Sequence, residues 1–273
     1  MSALRTALAA VSQDIPGLQP AHLSPDPQYD RDYVYRQSYQ NLSLKGTDVT
    51  RRPWNIYAII ARSLSPTAVM VDVGCGTAYK SIRHAAGIRL LIGLEPNEKM
   101  IGQAVQNAMT ASAFNVCFMT GTCDALPFVD NSIDVVTALL APHNAQEMHR
   151  VLKPGGWAIV ERVGDRDKVN IKQYFGSDAE GPRGQLLHYE VGTRAVMMTE
   201  EFQGCFSHAT ARNGFWDTAY TMGELLVLLA HTPTIRNYVL PHDQPYVDAI
   251  QASLVRDGKI RTTQNRVLVV AQK

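Results

Sequence analysis

The chain of 273 residues has no excess of charge of either sign: 26 Lys and Arg stand against 25 Asp and Glu. Proteins that grip nucleic acid or anionic membranes broadly carry a basic surplus, so only a local basic patch could serve that purpose here. Cysteine is scarce. Cys75, Cys117, Cys123 and Cys205 form no C-x-x-C pair and no zinc-ligand spacing, and no metal site is expected. Cys117 and Cys123 read as small buried residues on or just past a central strand. No apolar run reaches the roughly 18 residues that cross a bilayer. Residues 1–11 form a short amphipathic run broken by Asp14, Pro16 and Pro20, unlike a secretory leader. These absences predict a cytoplasmic protein without membrane contact. With 45% hydrophobic residues, the length suits one domain with a substantial core, with or without a cap.

The most informative segment present is Val69-Met-Val-Asp-Val-Gly-Cys-Gly-Thr-Ala-Tyr79. Five residues of buried-strand character run into Gly74-Cys75-Gly76, and an amphipathic segment follows. A strand, a tight glycine turn and a helix start present backbone N–H groups to a ligand. Leu90-Leu-Ile-Gly-Leu94 reads as the next buried strand and ends in Glu95. An acid about 20 residues past such a turn can accept hydrogen bonds from both ribose hydroxyls. The third glycine of a dinucleotide site is missing, because position 79 is Tyr. That favours an adenosine ligand without a pyrophosphate, and S-adenosyl-L-methionine is the first candidate.

Strands are expected at about 69–73, 90–94, 116–120, 133–139 and 157–163, with helices near 78–86, 97–109, 144–152 and 166–174. Lys153-Pro-Gly-Gly156 is read as the stop of the third helix. This alternation predicts a doubly wound α/β sheet, mostly parallel, with helices on both faces. Residues 1–65 read as an N-terminal helical or lid segment, including a helix opened by Pro53-Trp54. Residues 66–273 read as the main domain with cap insertions at about 175–200 and 222–256. Strand character is expected around 202–211 and 215–220, then a helix at 222–231, another near 244–256, and an antiparallel strand at 266–271.

Residues 69–163 resemble the core of a class I S-adenosylmethionine-dependent methyltransferase, through the blocks VDVGCGT, LIGLEPNEKMI, GTCDALPFVDNSIDVV and HRVLKPGGWAIVE. The resemblance implies a Rossmann-like fold and S-adenosyl-L-methionine as cofactor, leaving S-adenosyl-L-homocysteine as product. It places Asp72, Gly74, Cys75, Gly76 and Tyr79 around the methionine end and Glu95 on the ribose. Pro96, Met100, Asp124, Ala125 and Leu139 complete the cofactor set, with Asp124 and Ala125 at the adenine edge. The short piece Ala141-Pro-His-Asn-Ala-Gln-Glu147 and Leu229-Ala-His-Thr-Pro233 are similar to the bacterial 23S rRNA guanine-N1 methyltransferases. This chain lacks those enzymes' N-terminal four-cysteine zinc module.

Methyl transfer needs an acceptor atom held in line with the methyl carbon, and a base only where that acceptor is protonated. His143, at the tip of the fourth strand, is the candidate base; Asn144 reads as the N-cap of the following helix. Tyr33, Tyr39, Trp54 and His143 are the candidate acceptor pocket, with Tyr35 beside them. His188, Tyr189, His208 and Trp216 are further candidates. Arg162, Arg166, Lys168 and Lys172 read as a solvated helix face, or alternatively as a contact to RNA or an anionic acceptor. The leading expectation is O-, N- or C-methylation of a small-molecule acceptor by a chain that could be a homodimer. The alternatives are RNA methylation and non-catalytic S-adenosylmethionine binding.

Overall fold

A computed structural model describes residues 46–273. Tyr33, Tyr35 and Tyr39 lie outside the described residues. Five parallel strands form the centre: β2 (Val69–Val73), β3 (Leu90–Leu94), β4 (Val116–Met119), β5 (Ile133–Leu139) and β6 (Leu152–Val163). They lie in the order β4-β3-β2-β5-β6, and the sheet continues with antiparallel β11 (Lys259–Gln272), β9 (His208–Tyr220) and the short β1 (Thr47–Asp48), while β7 (Ser177–Asp178) and β8 (Gly181–Pro182) pair apart from it and β10 (Val255–Arg256) pairs with β11. Strand order reverses between β2 and β5, so the crevice beyond their C-terminal ends is where a ligand of such a sheet binds.

The sheet is covered on both faces, as near-continuous apolar strands require. Val69, Val71 and Val73 join one apolar cluster with Leu90, Ile92 and Leu94. Met70 and Leu91 point into the other, against the helical side of residues 82–108. The covering helices are α1 (Ile56–Arg62), α2 (Glu98–Thr110), α3 (Ala145–Val151), α4 (Val169–Lys172), α5 (Thr193–Gln203), α6 (Met222–His231) and α7 (Leu240–Leu254). Asn97 caps α2, accepting from the Lys99 and Met100 N–H groups, and Asn144 caps α3, accepting from the Glu147 N–H. Thr221 and Glu224 form a reciprocal capping box on α6. A third apolar cluster, including Phe175, Leu225, Leu229 and Ile250, binds α6 and α7 to the end of the sheet.

Four local expectations are corrected. The helix near 78–86 is only a 3-10 segment, Ile82–Gly87. Helix α3 ends at Val151, just ahead of Lys153, but the next strand, expected from 157, already begins at Leu152 and includes Lys153 to Gly156, with Gly155 at φ +80° where the ladder to β5 shifts register. Phe202 closes α5 rather than starting a strand, and is fully buried against Phe206. The two strands expected around Gly214 are one strand, β9. Glycine is required there by a close approach: a Cβ on Gly214 would stand 2.4 Å from the Trp54 ring and 2.5 Å from Pro53.

Candidate active site

Bounded by the described residues, a cleft of about 2200 Å³ opens over the C-terminal ends of β2, β3, β5 and β6. Its floor is the turn after β2. Gly74 sits at φ +66° and Gly76 at φ +56°, a region glycine enters without the penalty of a side chain. The N–H groups of Gly74 and Cys75 both donate to the Leu94 carbonyl, at 2.7 and 3.1 Å, which locks the turn to the end of β3. A Cβ on Gly74 would meet the Ala141 Cβ at 2.3 Å. The tips of β2 and β5 therefore touch, and the crevice at the switch point stays backbone-lined.

Glu95 follows β3 and is 1% exposed. Its carboxylate accepts from Gly76 N–H at 2.9 Å and Asn97 N–H at 3.0 Å. Burial pushes its pKa up to about 7, against the downward pull of those two N–H groups. Asp72 is also buried; Thr137 Oγ1 donates to it at 2.7 Å, and loss of solvent raises its pKa. Two desolvated carboxylates beside a glycine turn make this end of the cleft acidic. Such an end suits a ligand carrying ribose hydroxyls and positive charge, as S-adenosyl-L-methionine does. The residues present fit that cofactor.

Asp72, Gly74, Cys75, Gly76 and Tyr79 all border the cleft, as do Glu95, Pro96, Met100 and Leu139. Burial holds the Cys75 thiol protonated, far above its ordinary pKa, so it serves as packing and not as a nucleophile. Asp124 and Ala125 are exposed outside the cleft, and Thr122 and Cys123 form the adjacent wall instead. The loop they share is fixed from α3: Glu147 accepts from Leu126 N–H at 2.7 Å, and Arg150 donates to the Leu126 and Phe128 carbonyls. Trp54 lines the cleft and donates Nε1–H to Glu161 at 2.7 Å.

His143 is not brought to the cleft. Its ring packs on Phe202, 5.5 Å between centroids, and Nε2 lies 3.2 Å from Glu201, tying the β5 tip to α5. It borders a separate small pocket with Asp124 and Cys205. Of the later candidates, His188 and Trp216 line the cleft, whereas His208 stands at the outer start of β9 beside Ser207. Sequence reasoning also passed over Gln264 and Arg266, which reach the cleft from the last strand. They lie in the polar first half of β11, KIRTTQNR, ahead of the apolar run Val267–Ala271, and no local pattern marks them.

Residues 70–156 match the family of methyltransferase domains. An uncharacterized methyltransferase of Bacillus subtilis, YcgJ, is 29% identical over 108 residues, 37% of this chain and 43% of that one. The demethylmenaquinone methyltransferase of Staphylococcus epidermidis is 32% identical over 149 residues, 51% of this chain and 61% of that one. The matched part thus spans about half the length of these curated relatives. The crystal structure of YcgJ superposes with a TM-score of 0.57 at 16% identity, covering 80% of this chain and 97% of that one.

Proposed function

We propose that the chain, whose residues 70–156 match the family of methyltransferase domains, transfers the methyl group of S-adenosyl-L-methionine to a small-molecule acceptor held in the same cleft. The observation that carries this reading is the shape of the charge. Desolvated Asp72 and Glu95 stand at a backbone-lined turn, and the cleft continues well past it, under Trp54 and Trp216. When bound, the cofactor supplies an electrophilic methyl carbon on a sulfonium. The chain's own part is binding and alignment. Glu95 takes the ribose hydroxyls, the Gly74–Gly76 backbone admits the methionine end, and Leu139 to Pro142 border the place where the acceptor approaches. The acceptor must present a lone pair to that carbon, so an ammonium would have to lose its proton beforehand, whereas a hydroxyl would give up its proton with the transfer.

His143, the candidate base by position, faces Glu201, so its expected role is to hold α5 against β5. His143→Ala is expected to lower stability in urea by about 1 kcal/mol and to leave turnover within about twofold. A fall of about 10²-fold at unchanged cofactor affinity would instead put the ring in the proton path.

The function itself is tested with methyl-labelled S-adenosyl-L-methionine and host extract separated into small-molecule, protein and RNA fractions. Label is expected in the small-molecule fraction. Label confined to RNA would overturn the acceptor class, and cofactor binding without label in any fraction would overturn the catalysis.

A further inference from the structure

The wall of the cleft three strands along from the glycine turn carries charge of the opposite sign. Arg266 pairs in register with Val163, the last residue of β6, and Lys168 follows the same strand end. Both line the cleft. Lys168 Nζ donates to Asp167 Oδ2 and to Gln264 Oε1, each at 2.8 Å. Arg266 donates to the other Asp167 oxygen and, at 3.2 Å, to the same Gln264 oxygen. Behind them Lys172 Nζ lies 3.9 Å from Asp167 and donates to the Gln185 carbonyl at 2.8 Å. Three cations therefore share one carboxylate, with side chains only 4%, 11% and 1% exposed for Lys168, Arg266 and Lys172.

Among the described residues the neighbouring charges do not supply the missing anion: the buried Asp165 carboxylate is taken by the Gly192 and Arg194 N–H groups. Arg183 is matched by Asp243, through a two-pronged pair at 2.8 and 2.9 Å. Gln264 and the Tyr220 hydroxyl it donates to are neutral. Burial lowers the pKa of both lysines, that of Lys172 to about 8, which relieves part of the surplus and leaves Arg266, with the Lys168 amine beside it, at the cleft. Lys168 also has φ +53°, a conformation that disfavours residues with a side chain by about 1–2 kcal/mol. Its N–H donor to Thr263 and the Asp167–Gln264 pair hold it there, aimed at the cleft. One carboxylate does not balance three buried cations, and a surplus of buried like charge is unfavourable. A cleft wall that concentrates them is complementary to an anion, and the buried Trp216 ring beside it has Arg266 and Arg52 at 5.5 and 5.0 Å from its centroid.

We propose that Lys168 and Arg266 form the specificity-determining end of the acceptor subsite and take an anionic oxygen group, carboxylate or phosphate, carried by the methyl acceptor. The place of the acceptor rests on the methyl-transfer reading; the anion site itself does not.

Benzoate, its neutral isostere benzamide, and inorganic phosphate would be titrated by calorimetry into the full chain, with and without S-adenosyl-L-homocysteine. Benzoate binding about tenfold or more tighter than benzamide supports a carboxylate-bearing acceptor. Phosphate binding that falls about tenfold in Lys168→Gln supports a phosphate-bearing one. Lys168→Arg is expected to restore most of the loss, and S-adenosyl-L-homocysteine affinity should not move in either variant. The inference is overturned if benzoate binds no better than benzamide and phosphate does not bind, or if anion affinity is unchanged in a folded Lys168→Gln protein. The wild-type comparison of benzoate with benzamide decides even if that variant does not fold. Anion binding in a protein that fails to bind S-adenosyl-L-homocysteine would keep the anion site and remove the methyl-transfer reading.

Discussion

Asp167→Ala is expected to destabilise the protein by about 3–5 kcal/mol, because it leaves buried cations without their shared partner. Asp167 is 3% exposed and accepts from Lys168 Nζ, Arg266 Nη1 and the Asn265 N–H. Although burial acts to raise its pKa, the three cations prevail and hold it well below the usual carboxylate range. The same cluster predicts the pH response. The Lys172 pKa is already lowered to about 8, so above that pH the unfolded chain binds more protons than the native one, and stability rises with pH. Without Asp167 the lysines titrate at still lower pH, so the deficit of the variant should shrink between about pH 6 and 9 as they lose their protons. Urea unfolding at several pH values measures both effects. A loss under about 1 kcal/mol at neutral pH would mean that water reaches the cluster and Asp167 is not its keystone.

That cluster also marks the limit of what the sequence makes legible. The five central strands, the glycine turn and Glu95 are local signals. Each is an apolar run of strand length or a short motif whose chemistry lies within a few residues, and β2, β3 and β5 fall where those runs predict. Lys168 instead takes its meaning from Gln264, almost 100 residues away on β11, and Lys172 from Asp167 and the Gln185 carbonyl. Seen alone, a basic run after a strand reads as a solvated face, yet both lysines are buried. His143 meets the same limit. Its place at the β5 tip is legible, but the direction of its ring is decided by Phe202 and Glu201 on α5, a helix that the local pattern does not reveal. Phe202 itself is read as strand because its aromatic neighbourhood mimics one, and tertiary packing overrides that propensity. The shift from Asp124 to Thr122 and Cys123 at the cleft wall has a similar cause. Glu147 and Arg150 on α3 set the loop's path, and no motif within 122–128 encodes it.

The acidic end of the cleft gives the second large effect. Glu95→Ala is expected to weaken S-adenosyl-L-homocysteine binding by about 2 kcal/mol, roughly 30-fold, through the loss of two hydrogen bonds to a charged group. The carboxylate also holds Gly76 and Asn97 by their N–H groups, so part of the loss comes from a looser turn. Glu95→Gln keeps an acceptor of the same shape and isolates the contribution of charge. With its pKa raised to about 7, Glu95 favours the native state most when protonated, and the stability it contributes declines as pH rises from about 4.5 through 7. Cofactor binding has the opposite sign. Ribose hydroxyls donate to the ionised form, so affinity should rise about tenfold from pH 6 to 8 and then level off. In Glu95→Gln this slope should vanish while weaker binding persists. Calorimetric titration across that range separates the possibilities. A flat wild-type profile would mean that the carboxylate is ionised throughout, and unchanged affinity in Glu95→Ala would remove Glu95 from the ribose altogether, leaving Asp72 and the Gly74–Gly76 backbone to bind the cofactor.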